Sequence, residues 1–271
     1  MTTGTSRIRK GTLTRKLKEQ AIANDKGSHQ RWQHTRDRPG CGIKTRLVCS
    51  KAAGGELHSL NEAEHAEFLE GWYRSEVKII YDQVALDRNK TQRAAASINV
   101  AHPVYQHLGE LAVLSTCLVY ITEQGATYHR EARSVKSTRG SKKGELTRSQ
   151  LIERKTWEDE GASYTVVRAH GMHARRSRNL AWIFRAHNDT VGRKLSDAEV
   201  AAQHALLRLV RRQKEMRVID ACGLVDRTLQ LQLGSGVRAF RQLAGAKRLA
   251  FDLDVSDPLS LRLAEIWRPA V

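Results

Sequence analysis

Strand-forming patterns stop near His170. Before that point short β-branched and aromatic runs alternate with helical stretches, whereas Arg175 to Val271 reads as mostly helical. A chain with that switch is expected to fold as an α/β unit followed by a small, mainly α unit, with the boundary falling in 171–195. The 271 residues are more than one ordinary domain needs, and 40% hydrophobic residues are enough to form packed cores.

Several local signals place elements. Asn61 has the chemistry of a helix N-cap, and Ala63, Ala66, Phe68, Leu69 and Trp72 follow at helical spacing. Val77, Ile79 and Ile80 predict a short strand. Leu114 to Ile121 predicts a stronger one that turns at Glu123-Gln-Gly125 and returns through Thr127 to Ser137. Gly140 to Gly144 closes that hairpin before a helix over Thr147 to Glu160, and Ser163 to Arg168 predicts another strand. Ser196-Asp-Ala-Glu199 has capping-box spacing for a helix through Leu206, Leu209 and Val210. Further helices are expected near Arg217 to Leu229 and Ser235 to Leu243, with the apolar segment Arg248 to Leu253 after them. Three helices and a small strand suggest a winged-helix type module.

Charge narrows the partners. Lys and Arg number 46 against 29 acids, a formal net charge of +17, which favours polyanions, and nucleic acid first among them. Residues Met1 to Lys51 hold 13 Lys/Arg and 3 Asp/Glu, about +10 of that total, and read as a basic arm in which Thr12 to Ala23 can form a short helix while the rest stays loose until it meets phosphates. No apolar run of about 18 residues is present and the N-terminus lacks a secretory core, so a cytosolic protein without membrane contact is expected. Cys41, Cys49, Cys117 and Cys222 show neither a C-x-x-C pair nor histidines at zinc-site spacing, which points to free thiols.

From Leu57 to His170 the sequence offers an ordered series of residues: Ser59-Leu-Asn-Glu-Ala-Glu64, Phe68-Leu69 and Trp72, Val77 to Gln83, Thr91, Ala94, His102-Pro103, Leu114-Ser-Thr-Cys-Leu-Val119, Ser134-Val-Lys136, and Leu151-Ile-Glu-Arg154 with Trp157. The second half adds Cys222 to Asp226, Leu231-Gln-Leu-Gly234, Arg238, Arg241-Gln-Leu243 and Phe251-Asp-Leu253. This series resembles the TnsA endonucleases of heteromeric cut-and-paste transposons, within the restriction-endonuclease-like nucleases. The resemblance implies a restriction-endonuclease-like core with a mixed sheet flanked by helices, followed by a winged-helix-like domain. The implied division is a basic N-terminal arm over 1–53, the endonuclease domain over 54–172, a linker or helix over 173–195, and the C-terminal domain over 196–271.

Phosphodiester hydrolysis needs a divalent cation held by hard oxygen ligands, and a lysine beside it to orient the nucleophile and stabilise charge on the phosphate. By resemblance the helix acid is Glu64, the central-strand acid falls at Cys117, the lysine is Lys136, and Val135 lends a main-chain carbonyl. The implied ion is Mg2+, with Mn2+ as the alternative. Here the strand reads Ser115-Thr-Cys-Leu-Val119 where the family carries aspartate, and a thiol is a soft ligand poorly suited to magnesium. Glu131 is expected on the wrong face of its strand and Glu123 at the hairpin tip, which leaves Asp82 as the nearest substitute carboxylate. His102-Pro103 reads as a loop feature. His170, Met172 and His173 read as a polar linker, and Arg175-Arg-Ser-Arg178 as either a phosphate contact or a solvated run.

The activity implied is metal-dependent cleavage of DNA at the 5′ ends of a transposon. It would require double-stranded transposon-end DNA, a TnsB-like transposase that cuts the 3′ ends, and a TnsC-like ATPase regulator met by the C-terminal domain. The alternative is a non-catalytic DNA- and partner-binding assembly subunit that has lost cleavage through Cys117.

Overall fold

The computed structural model describes residues 8–37, 44–136, 145–168 and 174–269. The chain divides into two compact units, Met1–Gly171 and Met172–Val271.

The first unit opens with helix α1 (Lys10–Asp25). It is not a free arm. Leu13 and Trp32 are buried with Tyr105, Ala112 and Val113, and Ile8 and Leu17 pack around them. The basic composition hid these few apolar anchors, which are enough to dock the segment without any phosphate. Strands β1 (Thr45–Val48) and β2 (Glu56–Ser59) form an antiparallel pair. Helix α2 (Glu62–Tyr73) follows, with the Asn61 side chain accepting from the Glu64 amide.

A four-stranded mixed sheet organises the unit. Strands β3 (Val77–Ala85), β6 (Ser115–Gln124), β7 (Thr127–Lys136) and β8 (Ser163–Arg168) lie in the order β3-β6-β7-β8, the first two pairings antiparallel and the last parallel. Between β3 and β6 run α3 (Arg88–Ser97) and the small antiparallel pair β4 (Val104–Tyr105) and β5 (Glu110–Leu111). Helix α4 (Arg148–Asp159) makes the crossover that a parallel β7/β8 pair requires.

Strand alternation assigns the two faces. Val119 and Ala132, partners in β6 and β7, are buried with Ala94 and Ala95 of α3 and Ile152 and Trp157 of α4. The adjacent Tyr120 points the other way and donates its hydroxyl to the Glu67 carbonyl of α2 at 2.8 Å. The sheet is thus flanked by α3 and α4 on one face and α2 on the other.

The second unit contains α5 (Ala174–Asn188), α6 (Asp197–Arg212), α7 (Val218–Thr228) and α8 (Ser235–Gly245). The span expected as linker or helix contributes α5, with Leu180, Ile183 and Phe184 buried and the Asn179 amide donating to the carbonyls of Leu253 and Val255. Within the arginine run Arg178 donates to the Ser256 carbonyl and Arg176 pairs with Asp254, so part of that run holds the unit together. Among the described residues, β-structure in this unit amounts to isolated bridges between Arg217 and Arg262 and between Ala250 and Trp267.

Candidate active site

Glu64 stands in the first turn of α2 and is 5% exposed. One carboxylate oxygen, Oε2, accepts from the Leu60 amide at 2.8 Å and the Gln83 side-chain amide at 3.1 Å; Oε1 accepts from Asn61 Nδ2 at 2.9 Å. These three donors are N–H groups of the protein. They come both from the helix N-terminus and from the sheet, so they fix the carboxylate against β3.

Cys117 lies on β6 where the sheet loses its regular alternation. Thr116 accepts from the Trp157 indole at 2.8 Å and so faces α4, while Val119 is buried on that same face. Residues three apart should face opposite ways in a regular strand. The irregularity falls between them. The Val135 amide donates to the Cys117 sulfur at 3.4 Å, and the thiol lies 3.8 Å from the Val135 carbonyl oxygen. Sulfur and the expected carbonyl ligand are therefore engaged with each other. Val135 and Lys136 end β7, in parallel register with Val167 and Arg168. The Lys136 side chain, the Gly140 to Gly144 turn, and His170, Met172 and His173 lie outside the described residues.

None of the acids weighed as substitutes is open. Asp82, the nearest by sequence, is 0% exposed and receives His29 Nε2 at 3.0 Å, Arg31 Nε at 2.6 Å and the His58 amide at 2.8 Å. Glu123 pairs with Lys78 at 2.7 Å, which holds its carboxyl below the usual range. Glu131 takes both terminal guanidinium nitrogens of Arg74, at 2.8 and 2.9 Å, and is held down to about 2, on the α2 face.

One carboxylate was missed as a candidate. Glu153 of α4 is 6% exposed, accepts from Thr116 Oγ1 at 3.4 Å, and receives the Tyr164 hydroxyl at 3.2 Å. Burial, and then the neighbouring Glu153 charge, push the Tyr164 phenol well above its ordinary range, while Ser134 hydrogen-bonds it and Cys117 is close enough to contribute. Glu153 therefore belongs to the same end of the sheet as Cys117. Its sequence signal was a glutamate at a position of α4 otherwise facing the core, between Ile152 and Trp157. His102 bonds the Thr91 hydroxyl and the Pro103 carbonyl, as a loop residue does.

The donors at Glu64, Cys117 and Val135 do not make a magnesium site. The carboxylate is turned to protein N–H donors, the second acid is a soft thiol, and that thiol meets the carbonyl. Among the described residues no group of three or more His, Cys, Asp or Glu side chains is arranged to hold a metal ion.

A strongly basic chain that sets a buried helix glutamate against the end of a mixed, helix-flanked sheet, and adds a helical second unit, has the build of a DNA-processing protein of nuclease type. Comparison with known proteins narrows that class. The family model described as "TnsA endonuclease C terminal" matches residues 173–253. Over 247 residues the chain is 24% identical to the Transposon Tn7 transposition protein TnsA of Escherichia coli, covering 89% of this chain and 85% of that protein. The chain is thus similar to a TnsA transposition protein over most of its length, and residues 173–253 match the TnsA C-terminal family model.

Proposed function

We propose that this chain fills the place of the TnsA endonuclease in a cut-and-paste transposition complex. It holds transposon-end DNA and assembles with a TnsB-like transposase and a TnsC-like ATPase regulator, while its own magnesium-dependent cleavage at the 5′ ends is silenced. The observation that carries this reading is the Cys117 sulfur, closed on the Val135 peptide where the family carries an aspartate. Losing a hard anionic ligand removes several kcal/mol of charge stabilisation from a cleavage step, roughly the worth of a catalytic metal ligand. DNA binding is supported by the net charge of +17 and by exposed Arg208, Arg211 and Arg212, which share one side of α6.

A second reading is favoured by Glu153. Its buried carboxylate, beside Thr116 and Tyr164, would supply the missing acid, in which case the chain cuts DNA itself, with Mg2+ or Mn2+. The test is nicking of transposon-end DNA by purified protein with its partner transposase, for wild type, Cys117→Asp, Glu64→Ala and Glu153→Gln. Cleavage by Cys117→Asp alone supports the silenced subunit. Cleavage by wild type that Glu153→Gln abolishes supports the second reading.

A further inference from the structure

In the second unit, positive charge from two helices gathers on one surface. Trp182 and Arg185 lie one turn apart on α5, and Arg238 and Arg241 one turn apart on α8. The two helices are closely packed. A methyl group on Gly245 of α8 would sit 2.5 Å from the Cβ of His187 on α5, and the rings of Trp182 and Phe240 are 6.3 Å apart.

Arg241 is the fixed member of the group. Its Nε donates to the Trp182 carbonyl at 2.8 Å, Nη2 donates to the same oxygen, and the guanidinium carbon lies 5.1 Å from the centre of the indole ring. Neither bond uses Nη1. Arg185 and Arg238 are exposed and make no side-chain hydrogen bond or ion pair to a described residue. Burial first, with repulsion from Arg185 and Arg238 and an opposing pull from Asp189, draws the Arg241 guanidinium below its ordinary value. Two guanidinium groups near enough to repel a third cost free energy that an anion seated among them removes. The other end of α5 differs, because Arg176 pairs with Asp254 and Arg178 donates to the Ser256 carbonyl.

The make-up of the surface selects among anions. An acidic protein segment docks through apolar anchors as well as through charge. Among the described residues, the large apolar side chains left exposed in this unit are Val191, Val200, Ile219, Leu233 and Trp267, none of them on α5 or α8. Trp182 is itself half-buried, with Arg241 over its ring. What α5 and α8 offer is guanidinium on a rigid base, the means by which proteins hold phosphate without reading sequence.

We infer that Arg185, Arg238 and Arg241 form a phosphate-binding surface on α5 and α8 that holds the backbone of duplex DNA. The surface rests on the reading that this chain holds DNA, and it adds a contact beyond the arginines of α6. A contact of this kind positions the duplex and carries no sequence preference.

The test uses the full chain and two duplexes, transposon-end DNA and an unrelated sequence, titrated by fluorescence anisotropy over a series of salt concentrations. Arg185→Ala/Arg238→Ala should flatten the slope of log affinity against log salt by about 0.9 for each phosphate released, up to about 1.8, on both duplexes alike. Arg185→Lys/Arg238→Lys keeps the charge and should restore most of that slope. The melting temperature should stay at the wild-type value in both variants. Wild-type protein that binds both duplexes, with an alanine variant of unchanged slope, overturns the inference and leaves DNA binding by the chain intact. So does a slope that flattens on end DNA alone, the mark of base reading, or a flattening that comes with a lower melting temperature and that lysine does not rescue. Weaker binding of a poly-glutamate peptide by the alanine variant, with duplex binding unchanged, would assign the surface to an acidic protein segment instead. Wild-type protein that binds neither duplex defeats the reading that the chain holds DNA, and this surface with it.

Discussion

The Val135 amide donates to the Cys117 sulfur at 3.4 Å, one residue before Lys136. This hydrogen bond joins β6 and β7, the strands on which the proposed reading sets the second acid and the lysine; on that reading a thiol stands in the place of a carboxylate. Two carboxylates of the same unit, Glu64 and Glu153, are buried.

Thiol chemistry should separate Cys117 from Cys49 and Cys222. Burial pushes the Cys222 thiol up to about 12 and also raises Cys49, whereas Cys117 is only half-buried. Iodoacetamide on the native protein at neutral pH should label Cys117 ahead of Cys49 and Cys222, read by peptide mapping. Earlier labelling of Cys222 would count against the packing of α7.

Glu131 links the interior strand β7 to Arg74 through a two-pronged ion pair and also meets Arg133 at 2.8 Å. Hydrogen bonds from Arg74 are the largest cause holding its carboxyl near 2, below the ordinary 4.5. A depressed carboxylate stabilises the fold above its unfolded pKa, and that contribution is lost as pH falls toward the folded value. Glu131→Gln should therefore cost about 1–2 kcal/mol at neutral pH, discounted for partial solvent screening. In urea titrations the deficit should shrink from pH 4.5 downward. A deficit that grew on acidification would contradict the assignment.

Gly71 lets α2 approach the sheet. A methyl group there would sit 2.5 Å from the Tyr120 ring, which is fully buried and bonded to Glu67. Alanine favours a helix by about 1 kcal/mol over glycine. Gly71→Ala should nevertheless destabilise the protein, because overpacking costs about 1–3 kcal/mol and this ring is not free to yield. Chemical denaturation checks the sign.

DNA binding can be apportioned by salt. Replacing Arg208, Arg211 and Arg212 with alanine should weaken non-specific duplex binding and flatten the slope of log affinity against log salt. The flattening should be about 0.9 for each phosphate that these arginines neutralise. An unchanged slope would move the DNA surface away from α6.

The sequence was most legible where the signal is local. Asn61 and Ser196 cap their helices as their spacing predicts, and the β6/β7 hairpin turns near Gly125. Helix α3 was missed because only Thr91, Ala94 and Ala95 face its core, and three small residues leave almost no periodic signal. The docked N-terminal segment was hidden by its charge, since its hold depends chiefly on Leu13 and Trp32 against residues about 70–100 positions away. In the candidate site, Glu64 and Cys117 were singled out only through the TnsA-like series of residues around them. Gln83, which donates to Glu64, was not picked out, because a left-handed residue inside a strand breaks the alternation used to assign faces. The closure of Asp82 by His29 and Arg31 was equally invisible, since it spans more than 50 residues of chain.

The most direct test of the account is the rate at which Cys117→Asp and wild type nick transposon-end DNA in magnesium beside the partner transposase. Restoring a hard ligand should turn a silent protein into a cutting one, and Glu64→Ala in the same background should silence it again. Equal cleavage by wild type and Cys117→Asp would show that the thiol at this position does not silence the centre.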